Sequence, residues 1–234
     1  MKKIINNLKS IFYFIQNFFI KSNSPIGIYY KNLSQECYDF FKEDMNNSAI
    51  FLKSRDIRSY SISKAFNNNK SSENLYLEFG VFKGESINLF GKFLKQHNLK
   101  IYGFDSFEGL EEEWNMNDYN PIGRFSLNKK KPKVLENVNL IVGKVQDTLD
   151  EFLKGKKNKK IIFAHLDMDT YTPTKYTLNK IKPYLQSGSV ILFDEFYGFP
   201  NWKQHEFKAF TEIFEKKEFK YIAFCESEVA IQII

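Results

Sequence analysis

The sequence predicts an α/β protein: an open, mainly parallel seven-stranded sheet with helices on both faces, an antiparallel last strand and a helical N-terminal extension. Three observations predict it. From Asn74 onward short apolar runs alternate with helical stretches, the rhythm of strand–helix–strand units. The last two apolar runs, Tyr221–Phe224 and Val229–Ile233, are separated only by Cys225–Glu228; no crossover helix fits there, so they form a hairpin. Finally, 234 residues of which 43% are hydrophobic supply one full α/β core with a modest extension to spare.

The elements follow in order. Ile4, Leu8, Ile11, Ile15, Phe18 and Phe19 recur at helical spacing and make one apolar stripe. Gln16 and Asn17 interrupt the run, no small-residue cleavage site follows, and the run is too short to span a bilayer. The stripe reads as a helix packed on its own domain or pairing with a second subunit, with contact to a membrane surface as the lesser reading. Helical, polar-punctuated sequence continues to about Asn69 with no strand pattern. The expected division is therefore a helical extension over 1–70 and an α/β domain over 71–234. Within the latter, Leu75–Phe79, Lys100–Phe104, Val138–Val142, Lys160–Leu166 and Ser189–Phe193 read as strands. Glu85–Gln96, Thr148–Leu153, Thr174–Gln186 and Glu206–Lys216 read as helices. The long connection from Phe107 to Lys133, with Trp114, Tyr119, Pro121, Gly123 and Arg124, has the length of a functional lid.

Composition excludes several classes. The formal charge is +6, but the lysine runs Lys129–Lys133 and Lys154–Lys160 carry no interleaved aromatics, so they read as solvated loops and no nucleic-acid partner is expected. Two cysteines far apart fit a reducing cytoplasm and exclude a disulfide scaffold. The three histidines, His97, His165 and His205, are too scattered for a histidine-built metal site.

Ligands of an open parallel sheet bind beyond the carboxyl ends of its strands, so the chemistry is sought there. The first strand runs into Glu78-Phe79-Gly80-Val81-Phe82-Lys83-Gly84-Glu85-Ser86. Two glycines let the backbone turn and approach a ligand. The acid before them opposes pyrophosphate and suits an ammonium and a sulfonium, the two cations of S-adenosylmethionine. Asp105, ending the second strand before Ser106, can accept from ribose hydroxyls, as it would in any nucleoside site, or cap the next helix. Gln146 offers a donor and an acceptor to an adenine edge, while Asp147 reads as a helix cap. The fourth and fifth strands end His165-Leu166-Asp167-Met168-Asp169 and Phe193-Asp194-Glu195. Acids delivered to one rim repel one another unless a hard cation such as Mg²⁺ takes their oxygens.

The segments YLEFGVFKGES, YGFDSFEGL, HLDMDTYTPTKYTL and SGSVILFDEF resemble the macrocin O-methyltransferase family, metal-dependent class I enzymes with a Rossmann-like sheet. The likeness runs from about Asn74 to the C-terminus. It implies S-adenosylmethionine and Mg²⁺ as cofactors and a hydroxyl of a sugar or nucleotide-sugar as acceptor, in surface polysaccharide or secondary-metabolite biosynthesis. By position it implies that Glu78, Gly80, Gly84, Asp105 and Gln146 hold the methyl donor, with Phe82, Ser86, Ser106 and Asp147 beside them. Asp167, Asp194 and Glu195 are the implied metal ligands; the last is often Asp in relatives, and Asp169 is an alternative to it. For the proton of the acceptor hydroxyl, His205 is the first candidate base and His165 the second, beside Asp167. Two rivals stand against this reading: a nicotinamide oxidoreductase, which the acidic Glu78 and the wide glycine spacing oppose, and a noncatalytic binding protein that keeps the fold.

Overall fold

The computed structural model describes residues 24–71, 73–115 and 119–234. The stripe from Ile4 to Phe19 lies outside the described residues. Among those described, no helix is long and apolar enough to cross a membrane. The chain divides into two units, Met1–Lys42 and Glu43–Ile234. Helix α1 (Pro25–Asn46) begins in the first unit, where it buries Leu33, Cys37 and Phe41, spaced one turn apart as on a single helix face.

The second unit is built on an eight-stranded sheet. Its strands are β1 (Ala49–Ile50), β2 (Leu75–Phe79), β3 (Ile101–Asp105), β6 (Val138–Val142), β7 (Ile161–Leu166), β8 (Val190–Phe193), β9 (Phe219–Cys225) and β10 (Glu228–Ile233). They lie in the order β1-β9-β10-β8-β7-β2-β3-β6, and a separate ribbon pairs β4 (Trp114–Asn115) with β5 (Tyr119–Asn120). All seven expected strands are present. Strand β10 alone runs antiparallel, slotted between β8 and β9, while the other pairings are parallel. The eighth strand, β1, lies in the segment where the sequence shows no strand pattern. Two residues carry no detectable period, and Ala49 and Ile50 are recruited by β9, on Ala223 and Phe224. Residues 49–68, read as part of the extension, thus contribute an edge strand and helix α2 (Ser54–Asn68) to the sheet unit.

Helices α3 (Glu85–Lys95), α4 (Val145–Lys154), α5 (Tyr171–Ile181) and α6 (Glu206–Thr211) complete the cover. Their stripes explain why they form. In α3, Ile87, Phe90 and Leu94 are buried at three- and four-residue spacing, with Glu85 in the first turn and Lys92 and Lys95 in the last, which suits the helix dipole. Phe90 meets Phe163 of β7 edge-on at 4.9 Å. In α4, Val145, Leu149 and Leu153 are buried. Helices α4 and α5 start three residues earlier than the apolar pattern predicts, and α5 and α6 end about a turn sooner, where 3₁₀ turns or loops take over.

Strands β2, β7 and β8 are buried along their whole length, as befits the centre of a two-sided sheet. The strand order reverses between β2 and β7: one side of β2 carries β3 and β6, the other β7 and β8. That switch point opens a crevice at the carboxyl ends of the strands.

Candidate active site

The crevice holds a cavity of about 520 Å³, ample for a nucleoside-sized ligand and a small second substrate. Every parallel strand from β6 to β8 sends its trailing residues to the wall: Gly80 after β2, Asp105 and Ser106 at β3, Gly143 and Lys144 after β6, Asp167 to Thr170 after β7, and Glu195 after β8. Gly80 has to be glycine. Its φ is +87°, and a Cβ there would lie 1.7 Å from the carbonyl oxygen of Asp167, so the ends of β2 and β7 could not meet.

Asp105 fixes the loop that follows. Its Oδ2 accepts from the backbone N–H groups of Val81 and Phe82, each at 2.8 Å, and its Oδ1 accepts from Phe107 N–H at 2.6 Å. A carboxylate has about four lone-pair positions, so Asp105 both staples two loops and keeps capacity for a ligand at the wall. Phe82 itself lies at a φ of 46°, a conformation costly for a non-glycine residue.

Several expected residues sit elsewhere. Glu78 does not reach the cavity wall. It is fully buried, accepts from Ser86 Oγ at 2.7 Å and lies 3.7 Å from His165 Nδ1. Successive side chains of a strand face opposite sides of the sheet, and Glu78 points into the α3 layer. Ser86 serves it there, and Gly84 turns the chain into α3 without touching the cavity. Gln146 is half-buried behind the wall, where its Nε2 donates to Glu111 at 3.1 Å. Asp147 is exposed in the first turn of α4, consistent with its reading as a helix-start acid.

Neither His165 nor His205 lines the cavity. His165 is fully buried, with Nε2 3.4 Å from Asp194 Oδ1 on one side and Glu78 on the other. Burial alone would lower its pKa, but the two carboxylates outweigh burial and push it up to about 10. A ring so raised favours its protonated form, which does not suit a base. His205 is half-buried at the start of α6 and off the cavity wall. Burial lowers its pKa, so it is neutral but not at hand.

The carboxylates do converge. One oxygen from each of Asp167, Asp169 and Glu195 lies within 4.8 Å of the others, and all three line the cavity. Asp194 belongs to a second such group, with His165 and Asp167, but it is off the cavity wall and is already bound to a cation. Arg58, on α2, pairs with Asp194 and with Glu228, whose Oε1 accepts from Nε at 2.7 Å. Burial would raise Asp194, yet His165 and Arg58 hold it well below the usual carboxylate range. The cavity acids go the other way. Burial, then repulsion from Asp194, pushes Asp167 and Glu195 well above their ordinary values and Asp169 up to about 7. Asp169 also has a φ of 62°, another sparsely populated backbone state at the site.

Behind them stands Glu206, fully buried. Its Oε2 accepts from Glu195 N–H at 3.2 Å, while Oε1 has no partner among the described residues. Glu195 Oε2 is likewise buried without a partner. Three clustered carboxylates, one of them with an orphaned oxygen, fit a hard divalent cation, which takes oxygen ligands and removes the repulsion.

Residues 77–196, just over half of the chain, match the methyltransferase-domain family. The chain belongs to that family. It is an S-adenosylmethionine-dependent methyltransferase of class I, and the strand order seen above is the sheet of that class. Its fold is similar to that of the calicheamicin methyltransferase CalS11, at 21% identity and a TM-score of 0.62 over 93% of this chain and 90% of that one. A second, apo structure of CalS11, described as a TDP-rhamnose 3'-O-methyltransferase, gives 20% identity and a TM-score of 0.56 over 93% and 92% of the two chains. The O-methyltransferase NovP gives 18% identity and a TM-score of 0.58 over 76% and 78%. At such identities the likeness speaks for the fold. No curated protein matches the sequence. For the methyltransferase, the family removes the nicotinamide oxidoreductase from contention.

Arg58, Glu228, Lys144 and Glu111 also shape this site, and no motif in the sequence marks them. Lys144 and Glu111 line the cavity. Glu206 had a signal, since it immediately follows the histidine singled out as a base.

Proposed function

We propose that the methyltransferase moves the methyl group to a hydroxyl oxygen of a sugar or sugar-derived small molecule and that Mg²⁺ assists. The observation that carries the reading is a single cavity wall on which the Gly80 loop and Asp105 stand together with Asp167, Asp169 and Glu195. Support for a sugar hydroxyl comes from CalS11, described as acting on TDP-rhamnose, and from NovP, described as an O-methyltransferase.

In this reading Gly80, Phe82, Asp105 and Ser106 hold the methyl donor, and Asp167, Asp169 and Glu195 hold the ion in place of the expected set with Asp194. A bound divalent cation supplies charge neutralisation and a lower pKa for a hydroxyl oxygen. The chain supplies the rest. The loop stapled by Asp105 fixes one reactant against the other, and alignment is the main help a single displacement accepts. The acceptor oxygen bonds the methyl carbon as the carbon–sulfur bond breaks, sulfur keeps that electron pair, and the hydroxyl proton passes to a carboxylate oxygen of Asp169. Leu110, Trp114 and Phe125 line the same cavity and exclude water. Both cysteines are free, which supports a reducing, cytoplasmic setting.

The test offers labelled donor, Mg²⁺ and a panel of nucleotide sugars to the purified protein and identifies the methylated product by mass. Turnover is expected to depend on Mg²⁺, and Asp167→Ala is expected to abolish it while S-adenosylhomocysteine still binds. Full activity in excess chelator, or in Asp167→Ala, overturns the metal role.

A further inference from the structure

The cavity has a second chemical character that the acids do not explain. Trp114 is 4% exposed and lines the wall, yet its indole Nε1–H has no partner among the described residues. A buried donor without a partner is costly, and in a cavity wall it marks the place of a ligand acceptor atom. Arg124 lines the same cavity at an exposed position, and no carboxylate among the described residues pairs with it. Its guanidinium stands 5.4 Å from the ring of Phe125, and Trp114 packs on that same ring at 6.4 Å. Both groups are donors only; neither can accept.

The backbone is built to hold Arg124 there. Leu110 N–H donates to Arg124 carbonyl oxygen at 2.9 Å, and Gly123 N–H donates to Leu110 carbonyl oxygen at 2.9 Å. Gly109, at a φ of +89°, lets these two strands of the loop close: a Cβ there would lie 2.4 Å from the Arg124 oxygen and 2.5 Å from that of Gly123. Phe125 adopts a φ of 67°, so the chain accepts an unfavourable backbone state in presenting this ring. Lys144, also on the wall, is drawn 3.7 Å from Glu111, which among the described residues leaves Arg124 as the cation of the wall without an ionic partner.

We propose that the methyl acceptor carries a phosphate, and that Arg124 and the Trp114 indole N–H bind it. This rests on the reading above, in which the cavity methylates a sugar-like molecule, and narrows the acceptor to sugars joined to phosphate or diphosphate. A phosphate offers several acceptor oxygens and negative charge, the complement of a two-donor guanidinium edge and an indole N–H. A neutral sugar would leave the indole donor to compete for a hydroxyl and the guanidinium without its counter-charge.

The test is calorimetry on the full chain saturated with S-adenosylhomocysteine and without added metal. The probes are inorganic pyrophosphate, glucose 1-phosphate and, as the neutral control, glucose. Both phosphates are expected to bind and glucose to bind at least about tenfold more weakly. Arg124→Ala is expected to weaken the phosphates about tenfold or more, Arg124→Lys to restore part of the loss, and Trp114→Phe to weaken them by about two- to threefold. Unchanged S-adenosylhomocysteine affinity in each variant shows that the fold is kept. The proposal is overturned if glucose binds as well as glucose 1-phosphate, or if Arg124→Ala binds the phosphates as tightly as the parent. It is also overturned if Arg124→Ala loses S-adenosylhomocysteine instead, for then the arginine serves the donor's carboxylate. Failure of the parent protein to bind S-adenosylhomocysteine at all would sink the methyltransferase reading itself, a distinct result.

Discussion

At the scale of single residues, the site is governed by which carboxylates are given a cation and which are not. Asp194 has Arg58 and His165 beside it; Asp167 has only His165 near it, and Asp169 and Glu195 pair with no cationic side chain among the described residues. The division assigns roles, and each can be checked. Asp169→Asn is expected to lower kcat by about 10²- to 10⁴-fold, the usual worth of a positioned base, while S-adenosylhomocysteine binding in calorimetry stays within about threefold. Arg58→Leu removes the cation from two largely buried acids, Asp194 and Glu228. Breaking a buried pair from one side costs about 3 kcal/mol or more, so the urea midpoint should fall with the slope unchanged. If the midpoint does not move, the network is not structural.

The elements show why some of the site was legible in the sequence and some was not. Strand ends were legible because a parallel sheet delivers consecutive motifs to one edge: Gly80, Asp105, Asp167 and Glu195 were placed by counting from apolar runs, and all reach the cavity wall. Side-chain facing was not. Glu78 lies within the same motif as Gly80, yet its carboxyl is enclosed by Ser86 and His165 and does not reach the wall. His165 and His205 were singled out for their chemistry, but a ring's usefulness depends on neighbours contributed from 29 or more residues away, such as Asp194 beside His165, and sequence spacing does not reveal these. Strand β1 escaped notice because two residues hold no period. The stripes of the longer helices were visible, and one prediction belongs to them. Phe90 of α3 is fully buried against Phe163, so Phe90→Ala should lose about 3–5 kcal/mol by cavity formation. Thermal or urea unfolding reads this directly. A loss under about 1 kcal/mol would mean that α3 does not depend on this contact.

For the molecule as a whole, the unusual quantity is the number of acids held away from water with few counter-charges. Burial raises Asp169 to about 7 and Glu228 to about 8, far above their values in an unfolded chain near 4. Groups so raised bind protons more tightly when folded, so stability falls as pH climbs from about 4 through these values. His165 acts in the same direction at higher pH. Its contribution is complete below about 6.5 and is lost as pH approaches about 10. The metal-free protein is therefore expected to melt at a lower temperature at pH 8 than at pH 5.5, and millimolar Mg²⁺ should recover part of the difference at pH 8, because an ion that binds only the folded form stabilises it. A scan in which Mg²⁺ leaves the pH 8 melting temperature untouched counts against an ion among these acids.

The position of Arg58 bears on how short the protein can be made. The family match begins at residue 77, and the strand–helix rhythm begins at Asn74, so a fragment starting at residue 71 would look like a complete enzyme on paper. It would lack the guanidinium that Asp194 and Glu228 share, together with edge strand β1 and the cover of α2. Such a fragment is expected to express as aggregate or as a species without cooperative melting, whereas one starting at residue 43 keeps every charge partner described here. Comparing the two by differential scanning calorimetry would show that the working boundary lies upstream of anything the motifs mark.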